Sequence, residues 1–291
     1  MNNMTVKQHY VPQFYLKHFA NKDGFLQVFN IEKGKTFSAR PEDICFKNNL
    51  YETKWQNENE RLGKYVLHNQ IEKYFASREA LYAALQTKII ALCNDTSNKE
   101  ALILRGEEVD LLREFYANML LRNPYTMEKL GFDGSLDDVY ENEEIQIYRY
   151  LVEQLGLGDF DSILQASYKK GVLTDDFQES YVNGVANDLK GLSFCFLHSH
   201  ETGFLTTDFP VSFGMDLSIE GSNKLSAYFP IAPNLVVLFG NYTDLRRRKN
   251  KIAEIDADIV YDFNKDFLNA NKGRYKFVFA HSTEILDKCI G

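Results

Sequence analysis

Apolar residues recur at helical spacing through the middle of the chain and at alternate positions toward its end. Near the start, Val11, Phe14, Tyr15, His18 and Phe19 follow a helical period, which predicts a short helix after Pro12. Proline suits a first turn because its missing N–H would have no partner there. The polar run at 21–24 stops that helix, and segments 25–29 and 36–38, joined across Lys33-Gly34-Lys35, predict a β-hairpin. From about 60 to 92 the pattern turns helical, carried by Leu62, Tyr65, Val66, Tyr74, Phe75, Leu81, Leu85, Ile89 and Leu92. A second helix is predicted over 107–122, with Val109, Leu112, Phe115 and Met119 on one stripe. It stops at Asn123-Pro124, since a residue before proline is pushed out of the α region. Residues 132–144 read as an acidic turn, and further helices are predicted near 143–155, 160–170 and 176–190.

After Gly191 the period becomes two. Strands are predicted at 193–197, 204–207, 227–229 and 235–239, and short turns between neighbours imply antiparallel pairing. A helix near 261–270 and a strand at 275–279 close the chain. The expected class is α+β: a short N-terminal helix and β-hairpin, a helical middle over about 60–190, and an antiparallel sheet over about 191–291. No repeat or Gly/Ser linker divides residues 1–291, so a single globular domain is expected.

Composition narrows the partners. Of 291 residues, 44% are hydrophobic, so a sizeable core is within reach. The net charge of -8 repels phosphate backbones at long range, which makes generic coating of DNA a poor expectation, although a local basic cleft remains compatible with nucleic acid. Cys45, Cys93, Cys195 and Cys289 are far apart among mostly apolar neighbours and read as buried free thiols. The opening has no apolar signal region, and no run approaches the roughly 18 apolar residues of a membrane span, so a cytoplasmic address is expected.

Three polar residues stand where a core does not need them. His9 precedes a helix start, where free N–H groups favour an anion, and there it can act as acid, base or phosphate donor, or simply bond a carbonyl. Arg122 lies on the packed stripe of its helix and needs a partner, either a structural acceptor or a ligand phosphate or carboxylate. Asp208 ends a strand before Phe209-Pro210, either at a working rim or as a turn cap. Gln13 and Thr206 are the companion ligand-binding candidates. His198 and His200 have a spacing compatible with a metal, yet no Cys or third His is near and His200 falls in a turn, so neither metal nor cofactor is expected. Residues 245–251 form the strongest basic run and read as a solvated connection. Phosphate-loop, dinucleotide-fold and α/β-hydrolase signatures are absent.

The opening HYVPQFYLKHFA resembles that of the HYVP-motif family, a widespread bacterial domain of unknown function. Residues 115–124 are similar to that family's phenylalanine-to-arginine-x-proline helix, 204–211 to its threonine-serine-aspartate-x-proline strand end, and 229–233 to its proline-leucine-serine-proline segment. Met119 stands where a glutamine is common, and Thr207 and Ala232 where serines are. The resemblance implies no activity. The expectation from the residues is a hydrolase or phosphodiesterase acting on a nucleotide or RNA phosphate, with His9 moving the proton, Arg122 neutralising the phosphoryl oxygens and Asp208 orienting His9 or a water. The alternative is a non-catalytic ligand-sensing or protein-interaction module, of the sort found in defence or toxin systems, with a small molecule or a protein as partner.

Overall fold

The computed structural model describes residues 6–59, 61–95, 103–132, 142–174, 180–200, 203–213, 226–240 and 249–290. Most of the acidic stretch (133–141) and most of the basic run (245–248) lie outside the described residues.

The chain opens with β1 (Lys7–His9), antiparallel to β4 (Phe46–Asn48) so that His9 faces Phe46. Between them come α1 (Gln13–Lys17), the hairpin β2 (Leu26–Asn30) and β3 (Lys35–Ala39), and a single 3-10 turn at Pro41–Asp43. Pro12 caps α1 from an extended conformation rather than opening its first turn. The helix predicted from about 60 begins later. Thr53–Asn59 (β5) and Gly63–Leu67 (β6) pair antiparallel, and α2 spans Gln70–Asn94. Gly63 at φ 79° and Asn69 at φ 56° take left-handed conformations on either side of β6, so the backbone is in strand geometry under side chains whose spacing had read as helical.

The helical middle continues with α3 (Glu107–Leu121), α4 (Pro124–Lys129), α5 (Glu143–Gln154), α6 (Phe160–Leu173) and α7 (Tyr181–Lys190). Asn123-Pro124 ends α3 as predicted, but the Asn123 side chain accepts from Tyr125 N and starts α4 at once. The last part adds β7 (Ser193–His198), β8 (Thr206–Thr207), β9 (Ser212–Phe213), β10 (Ser226–Ala232), β11 (Leu235–Gly240), β12 (Ile252–Glu254), α8 (Ala257–Ala270), β13 (Phe277–Ala280) and α9 (Thr283–Ile290).

Five of these strands form one sheet in the order β12-β7-β11-β10-β9. All its pairings are antiparallel except β12 with β7, which is parallel, a departure from the all-antiparallel expectation. Strand alternation divides its side chains between two cores. Phe194, Phe196, Phe229, Val237 and Phe239 pack on α3 through Leu112, Phe115, Tyr116 and Met119. Cys195, Leu197, Tyr228, Val236 and Leu238 face α8 through Val260, Phe263 and Phe267. Covered on both faces, β11 is buried along all six residues, which is why its sequence is a continuous apolar run. A second sheet, β3-β2-β13-β8, joins the N-terminal hairpin to the C-terminal strand. The architecture is α+β. No helix among the described residues is long and apolar enough to cross a membrane.

Candidate functional site

Where β1, the 3-10 turn and α1 meet the side of α2 and the end of α3, they leave an open cleft of about 540 Å³. Its lining is Lys7, His9, Gln13, Phe14, Glu42, Asp43, Glu72, Glu79 and Arg122.

His9 closes β1 and is half-buried against Phe46, with ring centroids 5.5 Å apart. Its Nε2 is 3.3 Å from the Glu42 carbonyl, and Gln13 Nε2 is 3.4 Å from its Nδ1. The carbonyl accepts only from an N–H and the amide donates only to a lone pair, so this pairing selects the Nε2–H tautomer. Burial lowers the pKa of the imidazole from its ordinary 6.5, with the Arg122 charge adding to the fall and the Glu42 carbonyl opposing it. His9 is therefore neutral at pH 7.

Arg122 caps the C-terminus of α3 and is only 2% exposed. Three donors of the guanidinium meet protein acceptors. Nη1 donates to Glu79 Oε1 at 2.9 Å, Nη2 to the His9 carbonyl, and Nε to the Tyr51 hydroxyl at 3.4 Å. Tyr51 in turn donates to the His9 carbonyl at 3.2 Å, and the guanidinium lies 4.3 Å above the Phe75 ring. Arg122 thus fixes the backbone of His9 against α2 and α3 while presenting one edge to the cleft.

Glu72 and Glu79 lie seven residues apart on α2, two turns along one face. Glu79 is ion-paired to Arg122, whereas Glu72 has a buried Oε2 with no hydrogen-bond partner among the described residues. Burial pushes the Glu72 carboxyl up from 4.5 to about 7; the Arg122 charge resists, and Glu79 and the buried Glu52 reinforce the rise. The folded pKa thus exceeds the unfolded one, so the native state binds the extra proton and loses stability as pH climbs from 4.5 to about 7. Replacing Glu72 with Gln should stabilise the protein by about 1–2 kcal/mol at pH 8, a figure reduced for the partial solvation of the group, and should change little at pH 4. Urea denaturation at the two pH values measures it, and an equal effect at both would refute the assigned titration.

The remaining candidates stand behind the cleft wall. Asp208 is buried and lines no part of the cleft. Its Oδ1 accepts from Lys276 N at 2.8 Å and Phe277 N at 2.9 Å, and its Oδ2 from Tyr10 Oη at 3.4 Å. The turn before Pro210 is held instead by Thr207, whose Oγ1 accepts from Phe209 N at 3.1 Å. Thr206 is fully buried, with its Oγ1 2.7 Å from the Tyr15 hydroxyl. The structure therefore brings His9, Gln13 and Arg122 to one cleft and leaves Asp208 and Thr206 outside it. It adds Glu72 and Glu79, which sequence reasoning had passed over, although their separation on a predicted helix does put them on one side.

No curated protein and no solved structure matches the chain. Residues 7–284, nearly the whole length and including every residue that lines the cleft, match a family described as "Protein of unknown function (DUF4238)", and the chain belongs to that family.

Proposed function

We propose that the cleft is the active site of a hydrolase working by general acid–base catalysis. The observation that carries this reading is the pairing of a carboxyl group whose pKa lies near 7 with a neutral imidazole in one solvent-open cleft. Two groups whose surroundings push them toward opposite protonation states divide the two proton transfers of hydrolysis between them. Water that displaces the Gln13 amide from His9 Nδ1, a contact of 3.4 Å, gives its proton to that nitrogen as its oxygen bonds to the electrophilic centre. Glu72 delivers a proton to the leaving group as that bond breaks. Arg122 positions His9 through its carbonyl. The match between the HYVP opening and this cleft wall supports taking the motif as the mark of the site. The chain is read as a single domain of the cytoplasm.

Charge bears on the substrate. Glu42, Asp43, Glu72 and Glu79 line the cleft against Lys7 and Arg122, so a small polar molecule, neutral or cationic where it enters, fits best. A nucleotide or RNA phosphate is the second reading, favoured by the positive charges of Lys7 and Arg122 in the cleft lining. Chromogenic esters, amides, glycosides and phosphodiesters assayed between pH 6 and 8 test both. One class should be turned over, with the rate falling about 100-fold in Glu72→Gln and in His9→Ala while both variants still melt cooperatively. Salt-sensitive turnover of the phosphodiester alone would select the second reading. A ligand bound without turnover, or full activity in Glu72→Gln, would defeat the catalytic assignment and favour a sensing module.

A further inference from the structure

A second constellation, sharing no residue with the cleft, forms where β7 ends. β12 runs parallel to β7 with Glu254 in register opposite His198. His200, two residues on, returns to the same side, and the two imidazoles meet edge-on with centroids 4.5 Å apart. One oxygen, Glu254 Oε2, lies 3.0 Å from His198 Nδ1 and 3.2 Å from His200 Nε2. The three donor atoms all lie within 4.8 Å of one another.

The far side of His198 holds the ring in place. Its Nε2 faces Asn94 Oδ1 at 3.1 Å, and Asn234 Nδ2 donates to that same oxygen at 2.9 Å while passing 3.2 Å from the ring nitrogen. With Asn94 Oδ1 accepting from Nε2–H, Nδ1 turns a lone pair toward the Glu254 carboxylate, which is the form a metal ligand takes; with Nε2 accepting from Asn234, Nδ1–H donates to the carboxylate in the metal-free protein. In the first tautomer a ring lone pair and a carboxylate oxygen stand 3.0 Å apart, a gap that a shared cation bridges, and the His200 ring turns a further nitrogen to the same oxygen. We propose that His198, His200 and Glu254 hold a divalent transition-metal ion of the zinc class.

Dimensions and chemistry agree with that ion. Tetrahedral bonds of about 2.0–2.1 Å put neighbouring ligand atoms about 3.3 Å apart, close to the two edges measured to Glu254. Two imidazoles and one carboxylate suit Zn²⁺, Co²⁺ or Ni²⁺, whereas Ca²⁺ and Mg²⁺ demand oxygen ligands throughout. Asn94 supplies the outer acceptor that fixes tautomer and ring orientation in such sites. His198 is 2% exposed and His200 55%, so the group has a buried base and a mouth open to water. Three protein ligands and one open position are the arrangement of a metal that binds a water or a substrate, in contrast to the four ligands of a purely structural zinc.

The full chain, stripped with a chelator and dialysed against Zn²⁺, should retain one equivalent and melt several degrees higher in excess Zn²⁺ than without it. His200→Ala removes the most exposed ligand and should leave the metal-free melting temperature nearly unchanged while weakening Zn²⁺ binding at least about tenfold. Glu254→Gln is the second variant, and the visible absorption of bound Co²⁺ should be lost or shifted in both. Failure of the wild type to retain stoichiometric Zn²⁺ overturns the proposal. So does Zn²⁺ binding as tight in both variants as in the wild type, because the metal would then be held elsewhere.

Discussion

Replacing Arg122 with Ala is expected to lower stability by about 3–5 kcal/mol, the range found when one partner of a buried ionic network is removed. The guanidinium is almost fully buried and serves three acceptors from three chain-distant segments: the His9 carbonyl on β1, Tyr51 beyond β4, and Glu79 on α2. Its loss strands the Glu79 carboxylate in a partly desolvated site, takes one donor from the His9 carbonyl and opens a void over Phe75. Lys in its place keeps the charge but offers a point where the network needs a planar fork, so it should recover only part, with a deficit of about 2 kcal/mol. Urea denaturation with an unchanged slope measures both. A second readout separates this role from mere packing. Arg122 holds the His9 pKa down, so the imidazole should titrate higher in Arg122→Lys only to the extent that the cation withdraws from it, and higher still in Arg122→Met, followed by the ring proton shifts in NMR. Stability of Arg122→Ala within about 0.5 kcal/mol of wild type would show that the guanidinium is a ligand clamp and not a tie.

Why Arg122 was visible in the sequence while its partners were not comes down to the range over which each signal acts. The stripe of Leu112, Phe115 and Met119 fixes which side of α3 is buried, and Arg122 sits on it, so its need for an acceptor follows from local periodicity alone. Likewise β7 and β11 announce themselves as apolar runs because both of their faces are covered. Residues 62–66 mislead by the same local logic, because Leu62, Tyr65 and Val66 fit a helical stripe while Gly63 and the pairing with β5 dictate a strand. Glu72 and Glu79 look like the solvated side of α2. Strand pairing about 40 residues apart in the chain brings β1 and the Pro41–Asp43 turn to the cleft that Glu72 lines, and the burial that raises its carboxyl pKa is a tertiary effect no local pattern encodes. Glu254 was hidden for the same reason, since β12 is three residues long and reaches His198 through a parallel pairing that no local pattern encodes. His9, Gln13 and Arg122 were legible as candidates, and the carboxylates Glu72 and Glu79 that line the cleft beside them were not.

Asp208 carries the other large effect, and two substitutions at it should behave very differently. Its Oδ1 accepts the backbone N–H groups of Lys276 and Phe277 at the start of β13, its Oδ2 accepts from Tyr10, and its own carbonyl accepts from Asn123 beside Arg122. The carboxylate thus pins the C-terminal strand to the segment that carries His9, while the backbone carbonyl makes the tie to the end of α3. Alanine leaves two partly buried N–H groups and a buried tyrosine hydroxyl without acceptors, at about 1–3 kcal/mol each at full burial, and water at the N–H groups and the relief of a desolvated charge offset part of this, so a net loss of about 2–4 kcal/mol is expected. Asparagine keeps Oδ1 for the two N–H groups and turns its amide toward the Tyr10 oxygen, so it should cost under about 1 kcal/mol. The pH dependence carries the sign. Burial holds the Asp208 carboxyl above its ordinary 3.8 against the opposing N–H groups of Phe277 and Lys276, so the native protein loses stability as pH rises through that raised value. The deficit of Asp208→Asn relative to wild type should therefore shrink, or reverse, between pH 4 and pH 8. Should Asp208→Asn instead unfold as readily as Asp208→Ala at every pH, the ionised charge and not the acceptor geometry would be what holds β13 in place.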